Sequence, residues 1–392
     1  MSKAKELRIG VIGCGGRGAL AEHAHKPEEG VRLVAATDVV QESLDAFDAK
    51  YGPDCFLTKD YRELVARDDI DAVFVTTPDF LHEECAVAAL EAGKSIYLEK
   101  PMAITVEGCD RILETAVRLK RKVYVGHNMR HMDFTKRMRD LIRAGAIGKV
   151  KVGWCRHFVG YGGDAYFKDW HAERSKSTSL LLQKGSHDID ILHWLCGGYT
   201  KRVNAMGGLT LYDRITDRHP PEERGNASWR LENWPPLSQK GLNPVIDVED
   251  VSMMQMQFDN GVFASYQQCH YTPDGWRNYT IIGTEGRIEN FGSTVVRLWN
   301  RRTHYNPYGD EQVFIPNIGG MHAGADPRIV DEFVRYVRDD VKITTSAVAA
   351  RQAVAAGCMA AESLRNGGVP KEVPPLREDI VSYFRKDLAE DA

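Results

Sequence analysis

The chain has 392 residues, of which 43% are hydrophobic and 27% charged, as is typical of soluble globular proteins. Its length exceeds that of one ordinary hydrophobic core, so we expect two domains. The net charge of −4 provides no overall basic field for nucleic acid, and no segment approaches the ~18 uninterrupted apolar residues of a membrane span, so neither partner is expected.

The amino-terminal segment and the cysteines bear on the cellular compartment. The segment MSKAKELRIG runs directly into the first predicted strand and leaves no room for a signal peptide. The 8 cysteines are scattered without a C-x-x-C pair, which favours buried, reduced thiols. Together these features predict a cytoplasmic protein.

The first predicted element is a strand at residues 7–12, an apolar run short enough to be buried in a parallel sheet. Glycines follow it in the G-x-G-x-x-G spacing, at Gly13, Gly15 and Gly18. This spacing provides a tight turn, a close approach of the backbone to a pyrophosphate, and close packing of a helix on a strand. A helix is predicted at residues 19–26, with its amino-terminal N–H groups directed at that phosphate.

A second predicted strand, at residues 31–37, leads to an acidic residue, Asp38. A carboxylate at this point can accept hydrogen bonds from the adenosine ribose, and its charge repels a 2′-phosphate. The pattern therefore predicts NAD rather than NADP as the cofactor. The alternative is a structural glycine turn followed by a surface aspartate.

Helices and strands alternate through the first third of the chain. Helices are predicted at residues 41–51, 61–66, 82–92 and 106–120, and strands at 72–76, 94–98 and 122–126. This alternation predicts a doubly wound parallel sheet with helices on both faces, which binds its ligand beyond the carboxyl ends of the strands. The residues predicted at the cofactor are Gly13, Gly15, Gly16, Arg17, Gly18, Asp38, Thr76, Thr77, Pro78, His82, Glu99, Lys100 and Asn128.

The pattern changes after about residue 128. A helix at 133–144 is followed by strand-like segments at 149–159, 203–211, 250–258, 262–270, 279–282 and 295–300. Turns between them predict an α+β domain with a large, open, mostly antiparallel sheet. We therefore divide the chain into a Rossmann domain, residues 1–127, and a substrate-binding and oligomerisation domain, residues 128–392. The second contains a polar excursion at 216–243, a lid or a subunit contact, and carboxyl-terminal helices at 327–338 and 346–366.

The segment YLEKP, residues 97–101, places a charged pair at the end of a predicted strand. A partly desolvated ammonium can have its pKa lowered towards neutrality, so Lys100 can take a proton from a hydroxyl while hydride leaves the same carbon. Glu99 would hold Lys100 or contact the cofactor. The alternative is a surface salt bridge before a helix.

A second cluster, KGSHDIDILHW at residues 184–194, combines imidazoles with carboxylates. If Ser186 caps a helix, His187 and Asp190 share one helical face, where they can relay a proton or grip adjacent hydroxyls of a polyol. His193 and Trp194 are predicted to pack in the core. No metal is expected, because helical geometry would splay the possible ligands.

The chain resembles the glucose–fructose oxidoreductase / inositol dehydrogenase (Gfo/Idh/MocA) family in GVIGCGGRG, TTPDFLH, LEKPMA and HDIDILHWL. The resemblance implies a Rossmann domain followed by an α/β domain whose open sheet often forms subunit contacts. It also implies a nicotinamide cofactor and redox chemistry at a carbinol carbon of a sugar or cyclitol. By residue, Lys100 matches the catalytic lysine, His187 the catalytic histidine and Asp190 a substrate-binding position.

The chain departs from the family pattern next to that histidine. Many members have an aspartate four residues before it, whereas this chain has Gln183, followed by Lys184. Lys184 is therefore a third catalytic candidate, which could bind an anion, lower a hydroxyl pKa or assist a leaving group. Four further residues are predicted at the substrate, against the alternative of a solvated basic loop for the charged ones: Tyr161, Lys168, Trp170 and Arg174.

These features predict a homo-oligomeric NAD-dependent enzyme, a dimer or tetramer, that oxidises a ring carbinol of a pyranose sugar or glycoside. Two alternatives stay open. One, which the resemblance to a subset of this family implies, is a redox-neutral glycosidase that oxidises C3 transiently, eliminates the aglycone, adds water and returns the hydride; Lys184 and the basic loop would suit an anionic glycoside such as a sulfonated sugar. The other is a non-catalytic, NAD-binding regulator, for which Lys100 and His187 would have no use.

Overall fold

The computed structural model describes residues 6–223, 225–317, 319 and 321–389; residues 1–5 of the amino-terminal segment lie outside the described residues. The strands are β1 (Leu7–Ile12), β2 (Val31–Thr37), β3 (Phe56–Thr58), β4 (Ala72–Val75), β5 (Ser95–Leu98), β6 (Val123–Val125), β7 (Val150–Phe158), β8 (Thr200–Gly208), β9 (Val251–Phe258), β10 (Phe263–Cys269), β11 (Trp276–Gly283), β12 (Arg287–Phe291), β13 (Val295–Trp299), β14 (Glu311–Phe314) and β15 (Lys371–Glu372).

The α-helices are α1 (Gln41–Tyr51), α2 (Tyr61–Val65), α3 (His82–Glu91), α4 (Val106–Leu119), α5 (Asp133–Arg143), α6 (Gly162–Ala165), α7 (Arg174–Ser177), α8 (Leu180–Gln183), α9 (Gly185–Cys196), α10 (Ala325–Asp339), α11 (Ala347–Arg365) and α12 (Glu378–Arg385). Among the described helices, none has the length and hydropathy that a membrane span requires.

The residues group into two compact units. Unit 1 comprises Met1–His131, Gly320–Arg351 and Leu376–Ala392, and unit 2 comprises Met132–Gly319 and Gln352–Pro375. This grouping differs from the division predicted from the sequence, because two carboxyl-terminal segments belong with the first unit.

Unit 1 contains a six-stranded sheet with the order β3-β2-β1-β4-β5-β6. All its pairings are parallel. The strand order reverses between β1 and β4, which is the point where open sheets of this kind bind ligands beyond the carboxyl ends of the strands. The predicted Rossmann sheet is confirmed.

Helix α10 packs on this sheet through aromatic side chains. Phe333 on α10 contacts Phe74 of β4 and Tyr97 of β5 edge-on, with ring centroids 5.2 and 5.6 Å apart. Tyr97 also stacks on Tyr124 of β6, and all four rings are buried. Because buried aromatic rings contribute much of a core's stability, this helix is part of the core of unit 1.

The element after β1 differs from the prediction. In place of an α-helix at residues 19–26 the chain forms a 3₁₀ helix at Gly16–Ala24. Gly16 has a φ of +48°, outside the right-handed helical range, so the chain does not enter a regular α-helix directly from the turn.

Unit 2 contains a nine-stranded sheet with the order β14-β13-β12-β11-β7-β10-β9-β8-β15. All its pairings are antiparallel except that of β7 with β10. Helix α9 lies against β7, β10 and β11. Along β9 buried and exposed residues alternate, so one face of the sheet is covered and the other is open. The predicted open, mostly antiparallel sheet is confirmed.

The described part of the segment between β8 and β9 contains 3₁₀ turns but no α-helix or β-strand, in agreement with the predicted excursion at residues 216–243. It is held by the buried carboxylate of Asp164. This carboxylate accepts hydrogen bonds from the backbone N of Glu232 (3.1 Å), from Asn233 Nδ2 (2.5 Å) and from Gln239 Nε2 (2.9 Å). Part of the excursion is thereby fixed to the rest of unit 2.

Candidate functional site

The glycine turn after β1 has the close packing that its spacing predicts. Gly13 has a backbone φ of +84°, which residues other than glycine rarely adopt. A Cβ on Gly18 would lie 2.2 Å from the carbonyl oxygen of Gly13, so that only glycine fits there. Thr76, at the end of β4, donates from Oγ1 to the same carbonyl oxygen at 2.8 Å. The turn is thus fixed against the neighbouring strand end.

Asp38, directly after β2, is attached to this turn. Its Oδ2 accepts a hydrogen bond from the backbone N of Gly15 (2.9 Å), and its Oδ1 accepts one from the backbone N of Val40 (2.9 Å). Burial and the nearby Asp38 charge raise the pKa of the Cys14 thiol to about 12, so this thiol stays protonated. The predicted ribose ligand therefore also organises the loop that carries it.

Arg17 links the glycine turn to the glutamate after β5 and to the first turn of α10. Its Nε lies 2.8 Å from Glu99 Oε1, and its two terminal nitrogens lie 2.7 and 3.1 Å from the Asp326 carboxylate. Burial alone would raise the pKa of the Glu99 carboxyl, but Arg17 and Lys100 keep it below its usual value. Arg17 was predicted at the cofactor, and in the structure its guanidinium is held by two carboxylates.

Sequence reasoning missed the role of Asp326. In the order MHAGAD it reads as a helix cap, but the N-cap of α10 is Gly324, and Asp326 lies inside the first turn. Its carboxylate accepts hydrogen bonds from Arg17 and from Asn128 Nδ2 (3.3 Å), and His322 Nδ1 lies 3.1 Å away. Because Arg17 and Asp326 lie at opposite ends of the sequence, no local sequence pattern predicts this contact.

The remaining predicted cofactor residues follow β4, β5 and β6, and one of them, His82, is the first residue of α3. The His82 ring is buried between two backbone carbonyls, with Nδ1 2.7 Å from Pro101 O and Nε2 2.9 Å from Thr77 O. It therefore connects the segment after β4 to the segment after β5. Lys100 is the second residue after β5 and is partly exposed, and its backbone N donates to Glu99 Oε2 at 3.0 Å. The bond between Lys100 and Pro101 is cis.

These residues fit a dinucleotide. Gly13 and Gly18 allow the backbone to approach a pyrophosphate, and Asp38 stands where the ribose of NAD is bound in this sheet topology. Unit 1 therefore gathers the predicted cofactor residues of the turn and of the strand ends within one sheet.

Unit 2 places a lysine and a tyrosine side by side. Lys184 precedes α9 and is 9% exposed, and its Nζ donates to Tyr161 Oη at 3.0 Å. The same Nζ lies 5.5 Å from the ring centroid of Tyr161 and 5.6 Å from that of Tyr166. Among the described residues, no carboxylate lies within ion-pair distance of Lys184. The Lys184 charge lowers the pKa of the Tyr161 phenol.

Helix α9 carries a buried carboxylate, that of Asp188, for which the sequence suggested no role other than that of a possible metal ligand. Asp188 Oδ2 is 2.9 Å from His157 Nδ1, Oδ1 is 3.1 Å from Arg277 Nε, and Tyr279 Oη donates to Oδ1. Arg277 and His157 outweigh burial and hold the pKa of Asp188 far below its usual value, whereas burial and Arg277 lower the pKa of His157 to about 3. The Asp188 carboxylate is thus fully engaged by side chains of β7 and β11.

Helix α9 carries the predicted histidine and aspartate. His187 and Asp190 lie on it three residues apart, and both are buried. The predicted cap is wrong: Ser186 lies inside the helix and Lys184 occupies the N-cap position, because the helix begins two residues earlier than a Ser186 cap requires. That Lys100 and His187 act on one carbinol over a nicotinamide stays a prediction.

His193 and Trp194 are buried, as predicted, and His193 Nε2 accepts a hydrogen bond from the backbone N of Thr200 at 3.1 Å. In the part of the chain that the structure describes, no group of three or more His, Cys, Asp or Glu side chains is arranged to hold a metal ion.

The predicted substrate residues of the basic loop have different environments. Arg174 Nη2 lies 3.2 Å from Glu249 Oε1, a buried carboxylate that also binds Arg365 at 2.8 Å. The Trp170 ring stacks on His171, with centroids 3.7 Å apart. Lys168 is partly exposed. The structure therefore brings Tyr161 and Lys184 together, and gives Arg174 a structural partner outside that pair.

Comparison with known families gives two matches that together cover most of the chain. Residues 7–127 match a family model described as "Oxidoreductase family, NAD-binding Rossmann fold". Residues 135–289 match one described as "GFO/IDH/MocA C-terminal domain". The first contains the glycine turn, Asp38 and Lys100, and the second contains Tyr161, Lys184 and α9.

The chain is also similar to individual proteins. It is 28% identical over 309 residues to YteT of Bacillus subtilis (strain 168), covering 67% of this chain and 71% of that one. It is 36% identical over 196 residues to inositol 2-dehydrogenase of Burkholderia cenocepacia (strain HI2424), covering 49% of this chain and 55%, about half, of that one. The structure of levoglucosan dehydrogenase in complex with NADH has the same fold, with a TM-score of 0.77, 22% identity, and coverage of 95% of this chain and 100% of that one.

Proposed function

Because this chain belongs to the Gfo/Idh/MocA oxidoreductase family, we propose that it uses NAD to oxidise a ring carbinol of a pyranose sugar or glycoside. The observation that carries this proposal is the arrangement in unit 1, where the glycine turn, Asp38 and the Glu99–Lys100 pair follow strands of one parallel sheet. Relatives named for inositol and levoglucosan support a cyclic polyol or sugar as substrate. The chain would work as a cytoplasmic dimer or tetramer.

Each residue has a proposed role. When bound, NAD would supply the hydride acceptor for the carbinol carbon. Lys100 takes the hydroxyl proton as general base, and Glu99, which accepts a hydrogen bond from the Lys100 backbone N, holds the segment that carries it. His187 either anchors a neighbouring hydroxyl of the substrate or relays its proton, and Asp190 orients the sugar ring.

A second candidate function is redox-neutral hydrolysis of a glycoside. It is favoured by Lys184, a buried cation without a carboxylate partner among the described residues, beside the Tyr161 hydroxyl. A buried ammonium is costly without an opposite charge, so an anionic group on the glycoside, such as a sulfonate, would complete this site. Transient oxidation would then precede loss of the aglycone.

One experiment separates these functions. The pure protein is incubated with NAD and a panel of methyl and p-nitrophenyl glycosides of glucose, galactose and mannose, with and without an anionic substituent. NADH formed in proportion to substrate consumed supports the dehydrogenase, and aglycone release without accumulating NADH supports the hydrolase. NAD binding with neither product supports a regulator.

The Asp38→Ala variant tests the cofactor assignment. We expect it to bind NAD about 10-fold more weakly, which corresponds to about 1.4 kcal/mol, because ribose contacts and the hydrogen bond to Gly15 are lost together. Preference for NAD over NADP should also fall, since the charge that repels a 2′-phosphate is removed. Dissociation constants for both nucleotides, measured by fluorescence, check this.

Asp38→Asn is the comparison for this variant, because it removes the charge and keeps one carbonyl acceptor for Gly15, while the position of the second acceptor, which Val40 uses, becomes an NH2 group. It should relax the discrimination against NADP while largely preserving the affinity for NAD. If both variants discriminate like the wild type, Asp38 does not face the ribose.

A further inference from the structure

Trp229, in the excursion, has an indole that is 56% exposed and yet is held in place by the loop around it. Asp164 binds this loop on both sides of the tryptophan. Its backbone carbonyl oxygen accepts a hydrogen bond from the backbone N of Ser228 at 2.7 Å, and its carboxylate accepts one from the backbone N of Glu232 at 3.1 Å and one from Gln239 Nε2 at 2.9 Å. The indole therefore has little backbone freedom to lose when a ligand binds.

The indole packs against rings of the segment that follows β7. Trp229 lies edge-on to Tyr166 and His171, with ring centroids 5.2 and 5.9 Å apart and interplanar angles of 88° and 84°. Its centroid is also 5.9 Å from that of the Tyr161 ring, at 66°. Tyr166 and His171 are themselves buried. One part of the indole is thus fixed by these rings, and the rest of it faces solvent.

A second tryptophan of the excursion shows what is particular to Trp229. Trp234 is also 56% exposed, but among the described residues it makes no ring contact. Trp229 in contrast lies beside Tyr161, whose Oη accepts a hydrogen bond from Lys184 Nζ at 3.0 Å. Because this oxygen accepts from the ammonium, the phenol keeps its own proton to donate. Of the two indoles, Trp229 is the one that combines a fixed, exposed ring with a neighbouring hydroxyl.

A fixed indole next to a hydroxyl is a combination that suits a pyranose. The face of an aromatic ring carries partial negative charge and attracts C–H groups, and small-molecule sites combine such surfaces with a few polar groups. We propose that Trp229 is a sugar-binding residue: the C–H groups on one face of a pyranose lie on the indole, and a sugar oxygen accepts the hydrogen bond of Tyr161. The inference rests on the proposed function, which makes the ligand a sugar.

A second copy of this chain is the alternative occupant, because Leu231 and Leu237 of the excursion are exposed as well. The groups beside the indole favour the sugar. An apolar protein surface laid on Trp229 would cover the Tyr161 hydroxyl and offer it no acceptor, which costs free energy. A pyranose offers both C–H groups and hydroxyl oxygens, so it can satisfy the indole and the phenol together.

The stereochemistry of the preferred ligand follows from this arrangement. In methyl β-D-glucopyranoside every ring substituent is equatorial, so both faces of the ring present only C–H groups. In methyl α-D-mannopyranoside the axial oxygens O1 and O2 stand on opposite faces and keep either face away from an aromatic surface. We therefore expect the β-glucoside to bind more tightly than the α-mannoside, and we expect this preference to depend on Trp229.

Binding is measured without turnover on the full chain in its NADH complex, since the reduced cofactor cannot accept hydride. Dissociation constants for the two methyl glycosides are determined by calorimetry. We expect Trp229→Leu to weaken binding of the β-glucoside by at least ~10-fold and that of the α-mannoside by less, because leucine is apolar but has no aromatic face. Trp229→Phe restores an aromatic face and should recover most of the affinity. Trp234→Leu is the matched control of equal exposure and should bind as the wild type does.

A second measurement reports which face of the sugar is in contact. In methyl β-D-glucopyranoside H1, H3 and H5 lie on one face and H2 and H4 on the other. Magnetic saturation of the protein's aromatic protons should reach one of these two sets more strongly in the wild type, and Trp229→Leu should abolish the difference. A purely structural role of Trp229 would lower the affinity without selecting a face.

Two results would overturn the inference: an unchanged affinity for the β-glucoside in Trp229→Leu, or equal losses for the two sugars. If the affinity is unchanged and the oligomer seen by ultracentrifugation becomes smaller, the indole contacts a second copy instead. A wild type that binds neither glycoside and forms neither NADH nor aglycone from the panel overturns the proposed function, and this inference with it. An active wild type whose sugar affinity does not depend on Trp229 overturns the inference alone.

Discussion

The Lys100→Met variant is expected to lose NAD-dependent oxidation by about 10²- to 10⁴-fold, the usual contribution of a general base, while it still binds NAD. Methionine retains the length and apolar stem of the lysine, so the change removes the amine with little change in packing. The rate of NADH formation and the dissociation constant for NAD, measured on the same preparation, check the two parts of this expectation.

Lys59→Met is the matched control, since it removes an exposed lysine of the same unit. It should leave both measurements unchanged. If affinity for NAD falls together with the rate in Lys100→Met, Lys100 acts mainly as a cofactor ligand. Oxidation at the wild-type rate would show that the carbinol proton goes elsewhere.

The fold of unit 1 could be predicted because its signals are local. An apolar strand, a glycine turn and an aspartate follow one another within residues 7–38, and each has a physical requirement that only certain residues meet. Strand β3 was missed because it has only three residues. The 3₁₀ helix after the turn was also missed, since the residues at 19–24 have ordinary helical preferences.

The sequence predicts that the second sheet is open and mostly antiparallel, but it does not predict the order in which the strands pair. Alternating burial in strands such as β9 is visible in the sequence, whereas the parallel pairing of β7 with β10 joins segments about a hundred residues apart. Strands β12, β14 and β15 have five, four and two residues, too short for a periodic pattern. The carboxyl-terminal helix α12 was missed because prolines precede it.

The sequence nominates site residues where one residue type in one motif carries the chemistry, as with Lys100 and Asp38, and their roles stay predictions. It does not nominate contacts where two distant charges meet. The Arg17–Asp326 and Arg174–Glu249 ion pairs join residues that are far apart in the sequence and meet only in the folded chain. No local sequence pattern therefore predicts them. For the same reason the sequence could nominate Lys184 but could not supply Tyr161 as its hydrogen-bond partner.

The Gly18→Ala variant is expected to bind NAD at least ~10-fold more weakly and to unfold at a lower temperature, since overpacking typically costs about 1–3 kcal/mol. The added Cβ would lie 2.2 Å from the Gly13 carbonyl oxygen and 3.0 Å from its carbonyl carbon. Both are backbone atoms of the turn, so they cannot give way as a flexible side chain would. The turn must shift, and with it the N–H groups that would face the pyrophosphate.

Gly275→Ala is the control for this variant, because a Cβ there meets no atom within 4 Å and its φ is not in the left-handed region. Its stability and NAD affinity should match the wild type. Gly18→Ala with reduced stability but unchanged affinity would mean that the nucleotide does not contact the turn. Unchanged values of both would mean that Gly13 and Gly18 are not in such close contact, and the argument for this turn as the phosphate site would fail, since it rests on that contact.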